Sequence, residues 1–99
     1  MTIRRYTLRV TQGVRGRLTA LPRTGIATVI DEHGDATTYV ITYYVVNGCE
    51  CHEVSRAGAL RLGPVADHLL SIVTQAIRRG RHTTTITVEV GDDTAATAA

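Results

Sequence analysis

Residues 38–54, TYVITYYVVNGCECHEV, hold the instruction on which the fold turns. A run of β-branched and aromatic residues from Tyr39 to Val46 meets Asn47-Gly48 and resumes as Cys49 to Val54. Asn-Gly between two such runs predicts a two-residue hairpin, because a type I′ turn needs positive φ at both central positions. That turn sets the register. Val46 should face Cys49, Tyr44 face Cys51 and Thr42 face Glu53, on one side with Val40. Val45 should face Glu50, Tyr43 face His52 and Ile41 face Val54, on the other side with Tyr39. Both sides are partly apolar and both carry tyrosine, whereas a hairpin at the rim of a sheet alternates more cleanly. Tyr39 to Val46 therefore reads as a central strand buried on both faces.

Upstream, residues 3–11 alternate, with Tyr6, Leu8 and Val10 on one side and Arg5, Thr7, Arg9 and Thr11 on the other, the pattern of a half-exposed strand. Gln12-Gly13 and Gly16 mark an arginine-bearing turn, Leu18 to Leu21 reads as a short returning strand, and Pro22 to Gly25 breaks it. A further strand follows over Gly25 to Asp31, and the EHGDA stretch turns the chain into the hairpin. Downstream, residues 55–63 read as a glycine-containing connector. A helix is expected from Pro64, a favoured first helical residue, with Asp67 suiting its positive end and Gly80 closing it. Its apolar residues, among them Val65, Leu69, Leu70, Val73 and Ile77, cover roughly 160° of the wheel at about 100° per residue. Thr83 to Val90 alternates as an edge or half-exposed strand, and residues 92–99, all small or acidic, read as a disordered tail.

The fold class is accordingly α+β: an antiparallel sheet of four to five strands, a meander plus a C-terminal strand, with one amphipathic helix packed on one face. Ninety-nine residues make one domain, expected over residues 1–91. A hydrophobic fraction of 43% and a mean hydropathy of +0.02 fit a globular chain. With no Trp or Phe, four tyrosines and the aliphatic residues must build the core. No apolar run reaches membrane-spanning length and the N-terminus lacks the apolar segment of a signal peptide, so a soluble, cytoplasmic protein is expected. All eleven basic residues are arginine, a usage that points to a GC-rich bacterium or a phage.

Charge is segregated behind the net +2: residues 1–30 hold six arginines and no acid, and residues 31–55 hold five acids and no arginine. Such blocks favour an anionic partner or self-association. Cys49-x-Cys51-His52 invites a metal reading, but alternation sends His52 to the face opposite the two cysteines, and no Cys-x-x-Cys pair exists. The cysteines are two apart on one strand, with Cα atoms about 6.5–7 Å apart, too far for an ordinary disulfide. Glu50 and Glu53 also fall on opposite faces, Cys51 and His52 likewise, and no lysine is present for a phosphate loop. No enzyme, cofactor or metal site is expected.

One helix about 24 Å long covers three or four strands of one face at most, leaving a second face uncovered. An uncovered apolar face is an association surface. The expectation is a protein-interaction module, a small regulator or inhibitor that forms a homodimer through a sheet face or edge. Tyr39, Tyr43, Tyr44 and His52 are the expected contact surface. The alternative is nucleic-acid binding through Arg5, Arg9, Arg15, Arg17, Arg78, Arg79 and Arg81, with Tyr39 and Tyr43 stacking on bases.

Overall fold

In the computed structural model, which describes residues 2–58, 60 and 63–90, the 38–54 stretch is the heart of a long hairpin. Its strands are β3 (Ala36–Val46) and β4 (Cys49–Gly58). Asn47 and Gly48 have φ of 51° and 79°, the two positive values that a type I′ turn demands. The register follows from the turn: Val46 opposes Cys49, Tyr44 opposes Cys51 and Tyr43 opposes His52. Before the hairpin lie β1 (Thr2–Gln12) and β2 (Arg23–Ile30); after it come a 3-10 turn (Gly63–Val65), α1 (Ala66–Arg78) and β5 (His82–Val90). All five strands pair antiparallel in the order β4-β3-β2-β1-β5. The fold is α+β, and α1 carries the chain from one edge of the sheet to the other.

The core lies between α1 and one sheet face. Leu8, Val10, Val29, Tyr39 and Ile41 of the sheet meet Leu69, Val73 and Ile77 of the helix, and Val14 of the β1–β2 loop joins them. Each fully buried Leu, Ile or Val contributes on the order of 1.5–3 kcal/mol relative to exposure. Gly25 sits directly beneath the helix: a Cβ there would overlap the Ile77 Cγ2. The helix has no side-chain cap at its start, where Val65 is the cap residue. It ends firmly: the Arg79 and Gly80 amides donate to the Ala76 and Ile77 carbonyls (3.0 and 3.1 Å), and Gly80 takes φ 93°.

Four expectations are corrected. β3 is not the central strand; β2 is, and β3 is buried on one face only, its other side being half-exposed from Thr38 to Tyr44. Apolar composition on both sides of β3 is compatible with one helix because β-branched residues also fill an uncovered sheet face. Leu18 to Leu21 forms no strand: Leu18 plugs the core while the Thr19 carbonyl accepts one bond from the Val45 amide (2.9 Å). The connector assigned to 55–63 begins as strand, since β3 extends back to Ala36 and supplies partners as far as Gly58. The α-helix starts at Ala66 behind the 3-10 turn that contains Pro64. The tail expected over 92–99 lies outside the described residues.

Candidate functional site

Alternation and register assign each candidate side chain to one face. On the helix side, Tyr39 and Tyr43, which the sequence reading expects in a contact surface, are instead core residues with 0% and 5% exposure. Nor can they stack on bases there. The reason is that α1 covers the face carrying Tyr6, Leu8 and Val10, and the β2–β3 register places Tyr39 opposite Ala27 on that same face. The Tyr43 hydroxyl donates to the Thr74 carbonyl at 2.9 Å, and burial pushes its pKa up to about 12 despite the Arg78 guanidinium 5.8 Å from the ring centre. Among the described residues the buried Tyr39 hydroxyl has no hydrogen-bond partner, and burial raises its pKa against the opposing pull of Arg56.

His52 is exposed at the end of this face, its ring 6.0 Å from that of Tyr43 and tilted by 39°. An open groove runs beside it between β4 and α1, lined by Glu50, His52, Thr74, Gln75, Arg78 and Arg79. Leu18, Tyr43 and Cys51 complete the lining of this shallow groove, and alternation along β4 directs the Cys51 side chain to the opposite face, away from Glu50 and His52.

Among the described residues no helix covers the other face. Thr28 and Thr38 join hydroxyls across it at 3.1 Å, and Thr24 and Thr42 do so at 3.3 Å. Between and around them lie Ile26, Ile30, Val40 and Tyr44, all half-buried. Tyr44 donates to the Glu53 carboxylate at 3.2 Å; packing and then the neighbouring carboxylate raise its pKa. Cys49 and Cys51 are free thiols on this side, opposite Val46 and Tyr44. Arg5 and Arg9 project from β1 onto the same face, opposite Thr87 and Thr83. The Arg5 amide donates to Glu32 (3.2 Å), so Arg5 belongs to the acidic β2–β3 turn rather than to a cationic cluster.

Arg15, Arg17, Arg23, Arg78, Arg79 and Arg81 meet at one end of the molecule, where the β1–β2 loop, the end of α1 and the start of β5 come together, whereas Arg4 lies beside the β2–β3 turn and Arg56 on β4. Arg78 donates both terminal nitrogens to the loop, to the Val14 and Gly16 carbonyls at 2.7 Å each. The Val14 amide returns a bond to the Ile77 carbonyl at 3.0 Å. Arg23, which sequence reasoning did not single out, donates to the Arg15 carbonyl at 2.7 Å. The Arg15 side chain lies over Gly80, between Arg79 and Arg81 in the chain. Arg15, Arg17, Arg79 and Arg81 are exposed.

Comparison with protein families, curated proteins and solved structures finds no match. The residues themselves must therefore carry any assignment. Among the described residues no group of three or more His, Cys, Asp or Glu side chains converges on a metal position, and Cys49 and Cys51 point away from His52 across the sheet. Among the described residues no helix is long and apolar enough to cross a membrane.

Proposed function

We propose that this chain is a small non-enzymatic interaction module that docks a protein on the open face of its sheet, a second copy of itself being one such partner. The observation that supports this is the five-stranded face without a helix, on which Ile26, Ile30, Val40 and Tyr44 stand half-buried among threonines. Interface cores are depleted of charge and enriched in tyrosine. The β2–β3 part of this face has that character, with Arg9 beside Thr28 on the neighbouring strand and Arg5 and Glu53 further out. Its threonine hydroxyls already pair with one another, so covering them leaves few unsatisfied donors. A regulator or inhibitor that acts by occupying a partner's surface needs nothing more than such a face.

The test places a charge in the middle of the face. Val40→Arg leaves the helix side untouched and should melt within a few degrees of the native protein. Sedimentation at high micromolar concentration and affinity capture from the native host are then compared for the two. Self-association or a captured protein that is lost with Val40→Arg supports docking here. A native chain that is monomeric and captures nothing, or a partner held equally well by Val40→Arg, refutes it.

A further inference from the structure

We infer that the end of the molecule where the β1–β2 loop meets the end of α1 is a binding site for the phosphodiester backbone of nucleic acid. Its contacts would be Arg15, Arg17, Arg79 and Arg81. This inference does not rest on the docking face.

The structure divides the arginines by the work they do. Arg78 and Arg23 spend their guanidinium groups on loop carbonyls, holding the 14–16 segment against the helix. Arg5 lies by the acidic turn, and Arg9 projects from the middle of the sheet. Arg15, Arg17, Arg79 and Arg81 are left exposed on two segments pinned together at Gly13 and Gly80, whose backbones approach so closely that a Cβ on Gly13 would overlap Gly80. Gly80 in turn lies beneath the Arg15 side chain, with φ 93°, a conformation that resists a side chain. The backbone that carries the four charges is thus held in one arrangement before any partner arrives.

The acids lie elsewhere. Asp31, Glu32 and Asp35 sit in the β2–β3 turn at the opposite end, and Glu89 pairs with Ile3 near the start of β1. Among the described residues Glu50, in the groove beside Arg79, and Glu53, level with Thr42 and Thr24 on the open face, are the acids towards this end. Like charges gathered without internal partners raise a local positive potential that draws in anions. The helix end contributes only a partial negative charge, which falls off within its last turn.

The chemistry of the patch selects the ligand. Guanidinium groups grip phosphate oxygens in a fork, and such contacts fix position without reading sequence. With Tyr39 and Tyr43 sealed in the core, the patch offers unpaired bases no tyrosine to stack on, only the half-buried His82 ring beside Arg81, so it suits the outside of a duplex better than a single strand. Recognition would be independent of sequence.

Binding of the intact chain to a 20-base-pair DNA duplex, an RNA duplex of the same length and poly-glutamate, followed by fluorescence anisotropy against salt, tests the site. Four phosphate contacts give a slope of log K against log salt of about −3 to −4 for B-DNA. Arg79→Ala with Arg81→Ala should make that slope shallower by about 2 and weaken binding at least ~10-fold at ~50 mM salt. Arg5→Ala with Arg9→Ala should leave both readings unchanged. Binding of either duplex in this pattern supports the site, and the tighter of the two identifies its natural source. Absence of duplex binding at ~50 mM salt, equal loss from the Arg5 and Arg9 pair, or poly-glutamate held as tightly as the duplexes would each overturn it, the last in favour of an acidic protein.

Discussion

Tyr43 shows how one buried hydroxyl ties the sheet to the helix and makes stability depend on pH. Its hydroxyl must remain protonated to donate to the Thr74 carbonyl, and burial raises its pKa from the ordinary 10.0 to about 12. A raised folded-state pKa means that the folded chain holds this proton longer than the unfolded chain does. The contribution to stability is therefore complete below about pH 10 and is lost as pH climbs towards 12. Chemical denaturation from pH 8 to 12 should show stability falling across that window, with a shallower fall in Tyr43→Phe. At neutral pH, Tyr43→Phe should cost about 0.5–1.5 kcal/mol, the net value of a single hydrogen bond. An unchanged slope in the variant would mean that Tyr43 does not govern alkaline unfolding. Which tyrosines lie in the core was not legible in the sequence. Alternation states that Tyr39 and Tyr43 share a face and that Tyr44 takes the other, but two partly apolar faces leave the side on which α1 packs open. What decides is the alignment of Tyr39 with Ala27 and of Ala27 with Val10 across three strands, a long-range register that no local pattern encodes.

At the scale of elements, the parts with local chemistry were the legible ones. The Asn47-Gly48 turn dictated the β3–β4 register, and Gly80 dictated the end of α1, because each demands a backbone that few other residues adopt. The β1–β2 loop was misread since its order comes from outside itself: Arg78 binds its carbonyls from sixty residues away and Val14 and Leu18 anchor in the core. Arg78 therefore acts as a staple, and its loss should be felt in the loop more than in the sheet. Hydrogen bonds from a charged donor contribute about 1.5–3 kcal/mol, so Arg78→Ala should lower the melting temperature clearly. It should also speed hydrogen exchange at the Val14 amide while leaving the amides of β3 protected. Equal acceleration throughout would argue for global destabilisation instead. Gly25 makes the complementary point about packing. Gly25→Ala drives a methyl group into the Ile77 side chain, and overpacking of this kind costs about 1–3 kcal/mol. Denaturant midpoints read that loss directly.

Over the whole molecule, the charge blocks of the sequence are redistributed: Arg15, Arg17, Arg79 and Arg81 gather where α1 finishes, while Arg4 and Arg5 lie beside Asp31 and Glu32 at the β2–β3 turn. The sheet has two edges, and they are protected unequally. β4 exposes Glu50, His52, Glu53 and Arg56, the kind of charged edge that resists addition of another strand. β5 offers His82 to Val90 with Glu89 as its one acid and no proline, and Ile86 stays half-exposed beside Ile72 and Leu8 along the neighbouring groove. Self-association can thus take two routes, face to face over Val40 or edge to edge along β5, and a charge placed on each separates them. Thr84 is exposed on the helix side of β5, away from the open face, so Thr84→Lys blocks the edge and spares the face. For docking on the open face, sedimentation should return a dimer for the native chain and for Thr84→Lys, and a monomer for Val40→Arg. The reverse pattern, with Thr84→Lys monomeric and Val40→Arg dimeric, would move the interface to the edge and leave the open face without a self-partner.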